Sequence, residues 1–142
     1  MDVLIDTNII LDSIMKREPF LVNSKKIISL CLNGEINGCI AAHTITNLFF
    51  ILRNEIPVAE RKRTLLRLCS IFTVVSIDND KITSALDNDK FDDFEDCLQD
   101  ECASDFNADY IVTRNISDFK DSKIKAIEPS EFLSIFKGRC DN

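Results

Sequence analysis

The feature that most constrains this chain is a series of short apolar runs, each ended by polar residues and separated by segments of helical period. Val3-Leu4-Ile5 stops at Asp6, Cys39-Ile40-Ala41 forms a second run, Phe72 to Ile77 is β-branched, and Tyr110-Ile111-Val112-Thr113 stops at Arg114. Runs this short and this apolar suit strands buried on both faces, as in a parallel sheet. Between them, Ile9, Ile10, Ile14, Ile27, Ile28, Leu30 and Cys31 recur at helical spacing, broken around Pro19 and closed by Gly34. Further helices are predicted from Thr44 to Asn54, from Val58 to Ser70, after the Asp78-Asn79-Asp80 cap, from Asp93 to Asn107, and after a cap at Ser130. Ala126-Ile127 is predicted as an edge strand. Alternating strands and helices imply an α/β domain whose central parallel sheet of four to five strands is covered on both faces.

The 142 residues suit one domain, 1–142, and the chain shows no internal repeat or linker. A hydrophobic fraction of 45% with only three Gly and three Pro argues for a folded core rather than a disordered chain. No basic leader precedes the first apolar run, and no apolar stretch approaches the roughly 18 residues of a membrane span, so a cytoplasmic protein with no membrane partner is expected. The six cysteines include no C-x-x-C pair and mostly sit in apolar company, which predicts free buried thiols rather than disulfides. His43 is the single histidine, which excludes mechanisms that need a histidine pair.

The net charge of −7 would ordinarily oppose a nucleic-acid partner, but its distribution matters more. Ten Asp and two Glu between Asp78 and Asp109 face only Lys81 and Lys90, a net −10 that leaves +3 for the remainder. Such a segment is either a solvated acidic face or a carboxylate cluster that takes up divalent cations. In an open parallel sheet, ligands gather at the carboxyl ends of the strands. Asp6, Thr7 and Asn8 follow the first strand there, and Arg114, Asn115 and Asp118 follow the Tyr110 strand. Asp93, Asp96 and Asp100 are spaced to share one helical stripe, where like charges repel unless a cation offsets them. Hard oxygen ligands select Mg²⁺ or Mn²⁺, and phosphodiester hydrolysis then needs no histidine. Each acid alone has a structural alternative: Asp6 and Asp93 as helix caps, Asp118 as a turn residue.

Four ordered blocks resemble the PIN-domain family: Val3 to Asp12, Ala42 to Arg53, Asp93 to Gln99, and Ala108 to Phe119. The resemblance implies a three-layer α/β/α PIN-like fold and a Mg²⁺- or Mn²⁺-dependent endoribonuclease, often the VapC-type toxin of a bacterial type II toxin–antitoxin pair. It further implies an RNA substrate, an antitoxin protein partner and a homodimer. Carried over by position, the family's first acid falls on Asp6 and its third on Asp96 with Asp93 beside it, while Asn115 or Asp118 stands for the fourth. The second falls on Asn47, whose amide brings no charge.

Asp6, Asp96 and Asp118 are therefore expected to converge in one pocket lined by Asp93 and Asn47. Thr7 and Asn8 are assigned to support Asp6, and Arg53 and Arg114 to contact phosphate or pair with the acids. The alternative is a PIN-like domain that binds RNA or protein with catalysis impaired by Asn47. A phosphate-accepting receiver domain fits poorly, because no lysine follows a later strand in the required way. The basic group Arg61, Lys62, Arg63 and Arg67 reads either as solvated surface or as a guide for RNA or an antitoxin.

Overall fold

Side chains alternate across the first strand, Asp2–Ile5 (β1), and that alternation sorts the molecule into layers. Val3 and Ile5 point into one buried cluster and Leu4 into another. The structure, a computed structural model, covers all 142 residues. After β1 come α1 (Thr7–Ile14), α2 (Leu21–Leu32), β2 (Asn37–Ala41), α3 (Ala42–Ile51), α4 (Val58–Ile71), β3 (Thr73–Val75) and α5 (Asn79–Asp87). Then follow α6 (Phe94–Asp105), β4 (Tyr110–Val112), β5 (Ala126–Ile127) and α7 (Pro129–Cys140), with short 3₁₀ turns at Leu52–Asn54 and Ile116–Phe119.

All strand pairings are parallel, and the five strands lie in the order β3-β2-β1-β4-β5. The larger cluster joins Val3, Ile5, Ile40, Val112 and Ile127 of the sheet to Ile9 and Ile10 of α1, Ile27 of α2, Leu48 of α3, Leu65 of α4 and Phe132 of α7. On the opposite face, Leu4, Cys39, Val75 and Ile111 pack against Cys102 and Ala103 of α6, and Ala85 of α5 packs on Cys97 and Leu98. The expected three-layer α/β/α fold with its parallel sheet is the one observed.

Two glycines have specific reasons to be glycine. Gly34, at φ +74°, ends α2 in a left-handed turn where the N–H groups of Gly34 and Glu35 reach the carbonyls of Cys31 and Leu30. Gly38 lies in β2 where a Cβ would stand 2.6 Å from Cys31 Sγ and 3.0 Å from Phe72. All six cysteines are free thiols, with Cys31, Cys39, Cys97 and Cys102 buried. No helix is long and apolar enough to cross a membrane.

The helix starts depart from the sequence reading at two places. α3 begins at Ala42 directly after β2 and not at a Thr44 cap, since Thr44 is buried and bonds Thr7 across the sheet end. α7 begins at Pro129, whose fixed φ suits a first helical turn, one residue before Ser130. In α4, Arg61 folds over the Phe49 ring at 4.4 Å and donates to the Ile56 and Phe49 carbonyls, so packing has claimed it. Lys62, Arg63 and Arg67 are exposed.

Candidate active site

The chain works outward from β1 through β2 to β3 and then returns to place β4 on the other side of β1. This strand order reverses beside the carboxyl ends of β1 and β4, where an open sheet leaves a crevice. Asp6 leaves β1 at that point, and its backbone N–H continues the ladder to the Val112 carbonyl at 3.0 Å. Its side chain lies in the crevice, only 5% exposed. Oδ1 accepts from Gln99 Nε2 at 3.0 Å and Oδ2 from Thr113 Oγ1 at 2.8 Å. Thr113 is oriented in turn, because its hydroxyl oxygen accepts the Asn115 backbone N–H at 3.0 Å. Neither partner of Asp6 is charged. Burial pushes its carboxyl above the ordinary range, and the two side-chain hydrogen bonds offset that only in part.

The acids of α6 approach from the second layer. Asp93 caps the helix by accepting the Asp96 N–H at 2.9 Å, and Glu95 and Asp96 occupy the first turn. Asp93, Glu95, Asp96 and Gln99 line one cleft with Asp6, Thr7 and Asn8 and with His43, Asn47 and Ile51 of α3. The spacing of 95, 96 and 99, like that of 43, 47 and 51, puts these residues on one helical face. Asp96 is half-buried, and its carboxyl is pushed up to about 7, first by burial and then by Asp93, Asp6, Asp118 and Glu95. His43 has no hydrogen-bond partner on either ring nitrogen. Burial lowers its pKa against the opposing pull of Glu95, Asp93 and Asp6.

The structure divides the predicted set. Asp6, Asp96, Asp93 and Asn47 share the cleft, with Thr7 and Asn8 at its wall. Asp118, exposed on the second 3₁₀ turn, lines an adjoining depression with Lys90, Asp93, Asp96 and Lys120, so Asp93 and Asp96 stand between the two hollows. Asp118 still acts on the charge of Asp6 and Asp96 across that ridge. Asn115 contributes its backbone N–H to Thr113. Arg53 lies over the Phe50 ring at 3.8 Å and donates to the Phe50 carbonyl. Arg114 turns away from the cleft and grips Asp12 with Nε at 2.8 Å and Nη2 at 3.2 Å, under the Phe20 ring. Asp100 also leaves the acidic stripe: it is buried and accepts the backbone N–H groups of Lys123 and Ile124.

Sequence reasoning missed Gln99, Thr113, Glu95 and His43. Thr113 occupies the place after β4 that Asp6 occupies after β1, and Gln99 is a polar residue at helical spacing from Asp96, so positional signals existed for both. Nothing in the sequence marks the reach of Glu95 to α3.

The donors of the cleft are oxygen-rich and suit a hard divalent cation such as Mg²⁺ or Mn²⁺. An acceptor of the buried Gln99, Oε1, lacks any donor, which fits a missing positive or donating group. As the side chains stand, no three His, Cys, Asp or Glu groups are gathered closely enough to hold one ion.

A sequence profile described as PIN domain matches residues 2–117. None of the curated proteins matches the chain. Among solved structures, the fold is similar to a chain of VapBC2 from Rickettsia felis bound to a DNA fragment from their promoter, with TM-score 0.65, 18% identity, and coverage of 90% of this chain and 98% of that one. A chain of VapBC-1 from nontypeable Haemophilus influenzae gives TM-score 0.65 at 18% identity over 92% and 99% of the two chains. A chain of FitAB bound to the IR36 DNA fragment gives 0.62 at 16% over 89% and 94%. By the profile match over most of its length, this chain belongs to the PIN domain family.

Proposed function

We propose that this protein is a divalent-metal-dependent endoribonuclease and the toxin of a type II toxin–antitoxin pair, held by an antitoxin protein and assembling as a homodimer in the cytoplasm. The observation that carries the catalytic part is Asp6, a buried carboxylate at the sheet's switch point whose hydrogen-bond partners are both neutral, facing further acids across a cleft. Family membership supports a nuclease, and similarity to chains of VapBC and FitAB complexes supports a protein partner. Six free thiols accord with a reducing compartment.

Asp6 and Asp96 would hold Mg²⁺ or Mn²⁺, with Asp93 and Asp118 at the rim, Asn115 beside Asp118, and Asn47 as a neutral neighbour. When bound there, such an ion would supply charge stabilisation at a phosphate oxygen and activation of water. Gln99 and Thr113 fix the rotamer of Asp6, so its oxygens are aimed before substrate arrives. Burial and the neighbouring acids push the Asp96 carboxyl up to about 7, which a bound cation would oppose. Burial lowers the pKa of His43 and so disfavours a positive charge on this wall of the cleft. Arg53, exposed on the 3₁₀ turn that follows α3, would meet a phosphate outside the cleft, whereas Arg114 is committed to Asp12.

The test is cleavage of single-stranded RNA with Mn²⁺, abolished by EDTA and by Asp6→Asn. Binding of RNA without cleavage under any divalent cation would instead favour a non-catalytic PIN-like domain, the reading that Asn47 motivates.

A further inference from the structure

Asn47 brings no charge of its own to the cleft, but it brings a neighbour's. Its Nδ2 donates to Glu95 Oε2 at 3.2 Å, so a carboxylate of α6 sits at the tip of the α3 side chain. The two helices differ in what they tolerate at these positions. Glu95 lies in the first turn of α6, where unpaired backbone N–H groups and the helix dipole favour negative charge. Position 47 lies inside α3, where no such offset exists. The carboxylate at this wall of the cleft thus stands on α6, where the helix end favours it, and not inside α3.

A second observation indicates that the wall faces a ligand. Gln99 is 3% exposed, and its Nε2 is committed to Asp6 while Oε1 has no donor. Turning the amide over would set Oε1 against the Asp6 carboxylate, so the orientation is fixed. Oε1 is thus an unpartnered buried acceptor in a cleft lined by Asp6, Asp93, Glu95 and Asp96, a setting that a cation, or a donor such as water held by one, would complete.

We infer that Glu95, held by the amide of Asn47, supplies the cation-binding carboxylate that α3 lacks, with Asn47 as its positioning residue. The inference rests on the metal-dependent reading above. The working acids are then Asp6, directly after β1, and two successive residues of α6, Glu95 and Asp96.

The test is a relocation of charge. Mn²⁺ affinity is measured by calorimetric titration for the wild type, Asp6→Asn, Glu95→Gln and the double variant Asn47→Glu/Glu95→Gln, with the Mn²⁺-induced rise in melting temperature as a second readout. Glu95 is exposed, so Glu95→Gln is expected to fold, and circular dichroism checks it. Glu95→Gln should weaken binding by about tenfold or more. The double variant reverses the hydrogen bond and returns a carboxylate to the same wall, so its affinity should recover to within about threefold of wild type. If Asp6→Asn loses Mn²⁺ while Glu95→Gln binds as tightly as wild type, Glu95 has no such role. A double variant as weak as Glu95→Gln overturns the relocation. A wild-type protein that binds no Mn²⁺ defeats the metal-dependent reading itself, and this inference with it.

Discussion

Asp6 and Asp12 lie on one short stretch of chain and are both buried, yet the protein treats them in opposite ways. Asp12, 0% exposed within α1, is gripped by Arg114 through two hydrogen bonds, with Arg17 at 3.8 Å. Asp6 receives only a neutral amide and a neutral hydroxyl. Asp100 is a third case, satisfied by backbone N–H groups ahead of β5. A buried carboxylate with a matched cation is architecture, because removing either member leaves an uncompensated charge. One with only a neutral amide and a neutral hydroxyl for partners is held at a cost in stability, and Asp6 carries that cost at the crevice where ligands bind.

The contrast breaks most visibly in paired substitutions. Asp12→Asn should lose about 3 kcal/mol, the lower end for a broken buried pair because the Arg114 side chain is 25% exposed. Asp6→Asn should change metal-free stability by less than about 1 kcal/mol in either direction, since a desolvated charge leaves while one hydrogen bond is disturbed. Urea denaturation of both variants in EDTA measures the difference. Equal losses would place Asp6 with the structural acids.

A saturating cation gives the next largest effect. At a hundred times its dissociation constant, Mn²⁺ should stabilise the wild type by about 2.7 kcal/mol, seen as a rise in melting temperature. Asp6→Asn should show none of that rise, whereas Ser134→Ala on the exposed face of α7 should retain it.

The acid cluster also predicts a pH dependence in the presence of chelator. The Asp96 carboxyl lies near 7 in the folded protein against 3.8 for the free group, so the folded state holds an extra proton between those values. Its contribution is complete below about pH 4 and is lost as pH rises through about 7. The groups facing it are Asp93, Glu95, Asp6, Asp118 and His43, with Lys90 and Lys120 beyond the ridge. Because Asp96 is half-buried, the loss is discounted to roughly 1–2 kcal/mol. Asp96→Asn should flatten the profile, and a profile unchanged by that substitution would remove the repulsion from the account.

Thr113→Val sharpens the comparison at the smallest scale. It strips Asp6 of one donor and the Asn115 N–H of its acceptor, for an expected loss of roughly 1 kcal/mol by the same denaturation.

The sequence by itself determined the strands, their parallel arrangement, the succession of helices and the crevice to which Asp6 belongs. These follow from periodicity and from which residues end each apolar run, properties local to the chain. It also carried the Asp93 cap, since a cap is made within a single turn. The tertiary structure decided which of many acids have partners. Asp93, Asp96 and Asp100 share a spacing that reads as one stripe, but the segment before β5 claims Asp100 and leaves the other two at the cleft. Arg114 follows β4 as a phosphate contact would, and Asp12 from α1 captures it. Gln99 reaches Asp6 and Asn47 reaches Glu95 only because α6, on one face of the sheet, and α3, on the other, both border the cleft at the carboxyl ends of the strands. Charge pairing acts over a few ångströms between residues far apart in sequence, so it is fixed by packing and not by local pattern.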